Sequence, residues 1–171
     1  DESEDWDRVA KVLAGDGSAQ AQYGLSVDIE GDYAIVGSNK KTLGGEPLGA
    51  AYILRRTPNG WAQMVKLLPS EVEPSDLFGA SVAIHGNIAA VGAPNDDDPT
   101  SNEGAVYVFH RNASDTWVLV KKVKASDADA NDNFGISVAL NGDRLLVGAN
   151  LDDEKGINAG AAYMFYQNQG G

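Results

Sequence analysis

Apolar and polar positions alternate along this chain in short runs, each broken by glycine, asparagine, aspartate or proline. Alternation rich in β-branched and aromatic residues marks strands, and helical spacing nowhere persists over ten residues. Trp61 to Leu68 reads as one strand, Ser81 to Ile84 as a second, Ile88 to Val91 as a third and Ala105 to Phe109 as a fourth. Ser26 to Ile29 and Ser137 to Leu140 match the second strand, and Ala161 to Phe165 matches the fourth. Between the second and third strands stand Glu30-Gly31-Asp32, His85-Gly86-Asn87 and Asn141-Gly142-Asp143. These predict tight hairpins in which glycine and Asn/Asp supply positive φ.

The matches are periodic. Trp6, Trp61 and Trp117 are spaced by 55 and 56 residues, as are Tyr23-Gly24, Phe78-Gly79 and Phe134-Gly135. Gly37, Gly92 and Gly148, each after a valine, keep the same period, as do the Gly-Ala pairs opening at Gly49, Gly104 and Gly160. A fixed period of this kind means stacked copies of one supersecondary unit. The units run over about 6–60, 61–116 and 117–171 of a single repeat domain spanning 1–171. On the second strand, Val82 and Ile84 occupy one face and the small Ser81 and Ala83 the other. Small residues suit the innermost strand of sheets that converge on an axis; an ordinary antiparallel sandwich is the plainer alternative. The expected fold is all-β: three four-stranded β-propeller blades. Asp28 stands where the other repeats have Ala83 and Ala139, so a carboxylate there is expected either to reach water in the central channel or to find a partner.

Phe78-Gly79-Ala80-Ser81-Val82, then Val91-Gly92-Ala93-Pro94, then Gly104-Ala105-Val106-Tyr107-Val108-Phe109 resembles an FG-GAP repeat. That repeat builds the β-propeller of integrin α-subunit heads and of many secreted or surface proteins of microbes. The resemblance covers essentially the whole chain, three times over. Tyr23 departs from the pattern, as do Gly37-Ser38-Asn39 and Asn150. Many integrin-type repeats carry an Asp-rich calcium loop between the second and third strands. Here that stretch is a short hairpin, so that site is not carried over.

The resemblance also implies that the connection before the aromatic-Gly pair and the one after Val-Gly share one face, the usual ligand surface. Both connections are acidic here. The second repeat places Glu71, Glu73, Asp76, Asp96, Asp97, Asp98 and Glu103 on them. The third places Asp127, Asp129, Asp132, Asp152, Asp153 and Glu154. The first differs, with Asp16 and Glu46 but also Lys40 and Lys41.

Charge sharpens this picture. The formal net charge is −12. Nucleic acid and anionic membranes would be repelled, and no apolar run approaches the roughly 20 residues that span a bilayer. The absence of cysteine removes disulfides and thiolate chemistry. Asp127, Asp129 and Asn131 place oxygen ligands at alternate positions, as a calcium loop does, but without its glycine and distal glutamate. A weak calcium site at those three residues is the most that is expected, and no cofactor is required. His85 and His110 have no recurring Ser, Asp or Cys companion for a triad or zinc site. Lys11, Lys66 and Lys122 hold one position in the tryptophan strand and read as an exposed charged edge. The tryptophans are expected to pack between blades rather than to stack on sugars. Asn112-Ala113-Ser114 matches a glycosylation acceptor.

The expected function is therefore non-catalytic: an extracellular, cell-surface or periplasmic recognition or adhesion module that binds a protein or glycan through its acidic loops. A carbohydrate-active or phosphodiester-cleaving enzyme with its site at the propeller mouth is one alternative; a purely structural assembly unit is another. The phase of the repeat adds an expectation about partners. Trp6 to Leu13 is the outer strand of a blade whose other strands do not precede it, and the unit ending in Ala161 to Phe165 lacks its outer strand. A second copy is expected to complete the last blade reciprocally, forming a six-bladed homodimeric ring.

Overall fold

The computed structural model describes residues 6–97 and 102–168. Among them all regular structure is β. The first sheet holds β1 (Val27–Glu30), β2 (Tyr33–Ser38), β5 (Ala50–Thr57) and β6 (Gly60–Leu67), hydrogen-bonded in that order. A two-stranded ribbon, β3 (Thr42–Leu43) and β4 (Glu46–Pro47), projects from the connection between β2 and β5. The second sheet runs β7 (Ser81–His85), β8 (Ile88–Ala93), β9 (Ala105–Arg111), β10 (Trp117–Val123). The third runs β11 (Phe134–Asn141), β12 (Arg144–Ala149), β13 (Ala161–Tyr166). All neighbours are antiparallel, and the predicted hairpins turn at Gly31, Gly86 and Gly142 with φ of 56°, 58° and 61°.

The third sheet has three strands rather than the four of a complete blade, its outer strand being absent as the phase of the repeat implied. One expectation is corrected. The segment Trp6 to Leu13, expected as a strand, forms none. A strand exists only where another edge accepts its main-chain bonds, and no sheet edge pairs with this segment.

Alternation sends the second sheet's side chains to two neighbours. Ile35, Ala51 and Ile53 of the first sheet join Val82, Ile84, Val91 and Phe109 of the second in one buried cluster. Ala90 and Val106 of the second sheet join Phe134, Leu145 and Val147 of the third. Each fully buried Ile, Val or Phe contributes about 1.5–3 kcal/mol. Apolar burial is therefore the main force holding sheet to sheet.

The recurring glycines have a packing cause. A Cβ on Gly37 or Gly92 would lie 2.2 or 2.0 Å from the carbonyl oxygen of Gly79 or Gly135 in the next sheet. Val-Gly of one repeat thus touches aromatic-Gly of the following one. The aromatic partner is locked in place: Phe78 and Phe134 are fully buried, edge-on to Tyr107 and Tyr163 at 5.3 and 5.4 Å.

Candidate functional site

The two connections of each repeat do meet at one end of the sheets. Asn95 N–H donates to the Asp76 carbonyl at 3.2 Å, and Leu151 N–H to the Asp132 carbonyl at 3.3 Å. The second and third repeats touch through Asn133 N–H and the Asn102 carbonyl at 3.4 Å.

The acids on these loops fall into two sets. Asp76, Asp96, Asp132 and Asp152 are buried, at 3%, 1%, 4% and 5% exposure. Asp76 and Asp132 close tight turns, accepting the N–H of Glu73 at 2.7 Å and of Asp129 at 2.8 Å. Burial pushes the Asp76 carboxyl up to about 6, and burial also raises Asp132. Asp96 and Asp152 each accept a tyrosine hydroxyl at 2.7 Å, from Tyr107 and Tyr163. Lys122 adds an ion pair to Asp96 at 2.9 Å. The Tyr163 bond, with a second from Glu154 N–H at 3.0 Å, holds Asp152 below the usual carboxylate range. These acids, sought as ligand groups, brace the loops from inside. Glu103 is buried as well and pairs with Lys124.

Glu71, Glu73, Asp97, Asp127, Asp129, Asp153 and Glu154 form the other set and stay exposed. Asp97 and Asp153 also shape their loops, accepting from Asn102 N–H at 2.7 Å and Asn158 N–H at 2.5 Å. Asp98 lies outside the described residues. Asn131, proposed as a ligand beside Asp127 and Asp129, sits at φ 73° and accepts a bond from Asn102 Nδ2 at 3.2 Å. Among the described residues no three histidine, aspartate or glutamate side chains converge as a cation would require.

The first repeat performs the same bracing with its charges exchanged. Lys41 stands at the position of Asp96 and Asp152, and Asp16 crosses over to replace the missing acid. Asp16 accepts the Tyr52 hydroxyl at 2.8 Å, pairs with Lys66 at 2.8 Å and with Lys41 at 3.7 Å, and also takes a Lys41 bond on its carbonyl. The Lys66 bond leads in lowering its carboxyl to about 2. A tyrosine recurs at this point of every repeat, Tyr52, Tyr107 and Tyr163, but its role as an acid's partner emerges only from the fold. Lys66 and Lys122 are likewise not an exposed charged edge, for both reach inward to neutralise these acids.

A family model of the FG-GAP repeat matches residues 6–54, 61–109 and 117–165. The chain belongs to the FG-GAP repeat family. No curated protein matches it. Each matched FG-GAP segment begins at a tryptophan and ends in the third strand of a sheet, so sequence repeat and sheet are out of phase by one strand.

At the opposite end of these FG-GAP sheets lies a second polar cluster. Trp117 is 7% exposed and packs edge-on to Tyr33 of the first sheet at 6.4 Å, which bears out packing between sheets for this tryptophan. Arg111 lies over the Tyr33 ring at 4.2 Å and bonds its hydroxyl at 2.6 Å. Asp115 joins Tyr33, Arg55 and Arg111, and the Arg111 bond leads in lowering its carboxyl. His85 stands 3.4 Å from Glu30 and His110 lies within β9. The Asn112 side chain accepts from Ser114 and Thr116 N–H.

Proposed function

We propose that this FG-GAP chain is an extracellular or cell-surface recognition module, not an enzyme, and that it binds a basic protein surface through the exposed acids of its second and third repeats. One observation carries the reading: the loop acids are split into a buried set that braces the loops and an exposed set displayed on them. Bracing holds the displayed carboxylates in place before a partner arrives, which lowers the ordering cost of binding. With a net charge of −12, the surface attracts cationic partners at long range and speeds encounter more than it raises final affinity. Exposed carboxylates alternate with polar turn residues, so the contact favoured is with Lys- and Arg-rich polypeptide.

The test is binding of the chain to arrays of basic peptides and of neutral and anionic glycans, at low and physiological salt. The expected result is salt-sensitive capture of basic peptides. A variant carrying E71Q, E73Q, D127N, D129N, D153N and E154Q should lose that capture while unfolding normally. Binding of neutral glycans alone, or peptide capture unchanged in the variant, would overturn the reading.

A further inference from the structure

We propose that the polar cleft between the first and second sheets binds a sugar carrying one carboxylate, such as a uronic acid. The cleft lies at the end of the sheets opposite the acidic loops, so the inference is independent of the basic-partner reading.

The cluster that forms it breaks the repeat. Tyr33 has Ile88 and Arg144 as counterparts, Arg55 has His110 and Tyr166, and Asp115 has Asn59. Contacts that serve packing recur with the period, as those of the Val-Gly and aromatic-Gly pairs do. This set occurs at one junction of sheets. There it surrounds a cleft of about 510 Å³ lined by Tyr33, Arg55, Asn87, Arg111, Asn112 and Asp115. That volume falls in the range of small-molecule sites.

Hydrogen bonding in the cleft is one-sided. The side-chain oxygens are engaged. Asp115 Oδ1 accepts from Tyr33 at 3.1 Å and from Arg111 at 3.0 Å, and its Oδ2 from Arg55 at 2.9 Å. The Asn87 oxygen accepts from Arg111 at 2.5 Å, and the Asn112 oxygen from the N–H groups of Ser114 and Thr116 at 2.9 and 3.0 Å. These bonds fix which end of each amide is the oxygen, and neither Nδ2 has a partner among the described residues. Arg55 uses only Nη1, so its Nε–Nη2 edge has none either. Two donors of the same cluster are orphaned in the interior: Arg111 Nε and Trp117 Nε1 are buried without an acceptor. Trp117 is 7% exposed, and its ring lies 6.0 Å from the Arg111 guanidinium carbon. What the cluster lacks is acceptor oxygens.

Charge selects the kind of oxygen. Two guanidiniums stand against one carboxylate, which leaves one positive charge on a chain of net charge −12. A single anionic group balances it, whereas a polyanion meets the repulsion of the whole chain. An ammonium would face both guanidiniums, which argues against amino acids and amino sugars. The free edge of Arg55 matches a carboxylate with two bonds to two oxygens. Its guanidinium is held before any ligand arrives, by Asp115 and by the Tyr33 ring 5.7 Å away. Asn87 and Asn112 are exposed and offer neutral donors that suit hydroxyl oxygens beside the carboxylate. A carboxylate flanked by hydroxyls, with no cation, is the chemistry of a sugar acid.

Proton–nitrogen correlation NMR of the full chain, titrated with glucuronate, tests this. Saturable shifts are expected at Arg55 Nε–H and at the Asn87 and Asn112 amides, at millimolar concentrations. Methyl glucoside lacks the carboxylate and acetate lacks the hydroxyls, so each should bind about fivefold or more weakly. R55Q should weaken glucuronate binding about tenfold or more. R55K keeps the charge without the fork and should weaken it by less. R56Q removes the same charge from the adjacent residue, which pairs with Asp32 on the other face of β5, and should bind as the parent does. The two arginine side chains are 52% and 64% exposed, so these variants keep the fold. The absence of a saturable shift would overturn the proposal. So would equal binding of methyl glucoside or acetate, tighter binding of a glutamate-containing peptide, or an equal loss in R56Q. The variant with six neutralised loop acids should bind glucuronate as the parent does, which separates failure here from failure of the basic-partner reading.

Discussion

The Asp28 carboxylate of the first sheet accepts the main-chain N–H of Ile84 in the second, at 2.8 Å. β7 is the inner edge of its sheet, so its outward N–H groups have no strand to bond. Ser26 Oγ takes the Val82 N–H at 3.0 Å and Glu30 takes that of Gly86. Side chains of one sheet thus finish the hydrogen bonding of the next. Asp28, expected to reach channel water or to find a partner, takes the second course as an inter-sheet tie, and it also accepts the N–H of Ile29 at 2.8 Å.

Asp28→Ala should therefore destabilise the chain by about 1–2 kcal/mol, the range for a partly exposed charged acceptor. Asp28→Asn keeps an acceptor and should lose less. Urea unfolding checks both; an alanine variant as stable as the parent would show that water replaces the tie.

Gly92→Ala should be far more damaging than Gly148→Ala. The first adds a Cβ 2.0 Å from the backbone oxygen of Gly135, forcing two sheets apart. The second meets the Ser137 hydroxyl at 2.4 Å, a side chain that can rotate away. Costs of about 3 kcal/mol or more and of about 1 kcal/mol are expected. Equal thermal shifts would argue against close sheet approach at Gly92.

Stability should fall as pH rises from about 4 to 6, in part through Asp76. Its folded carboxyl is raised to about 6 by burial, whereas unfolded it titrates near its ordinary value of 3.8. Between those values the folded state holds the proton and the unfolded state has released it, so raising pH favours unfolding. A gap of this size corresponds to about 3 kcal/mol, complete above pH 6. Asp76→Asn removes the titration, so the difference between the two urea midpoints should change across this window and be flat above it. A difference constant from pH 4 to 7 would contradict the burial of this acid.

Tyr107→Phe should cost about 1–3 kcal/mol, because it strips a hydroxyl from the buried Asp96 carboxylate. The same change at Tyr163, whose ring is less deeply buried, should cost less. Calorimetric unfolding of the two variants would rank them, and the reverse order would show that ion pairing with Lys122 and Lys124 sustains Asp96 without the hydroxyl.

The period, the strands and the turns of this protein are local properties, and the sequence by itself determined them. Alternation places Val82 and Ile84 on one side of a strand whatever surrounds it, and Gly31, Gly86 and Gly142 turn because only a few residue types tolerate positive φ. The acidic face was legible too, through the position of its loops in the repeat. What a loop acid does was decided only by the tertiary structure. Asp96 and Asp97 are neighbours with the same side chain, yet one is 1% exposed beneath Tyr107 and Lys122 while the other faces water. Burial and ion pairing depend on groups brought in from other strands, and no local spacing encodes them. Trp6 and Trp117 differ for the same reason: the two share one place in the repeat, but only Trp117 has a sheet on which to pair and a Tyr33 to cover it.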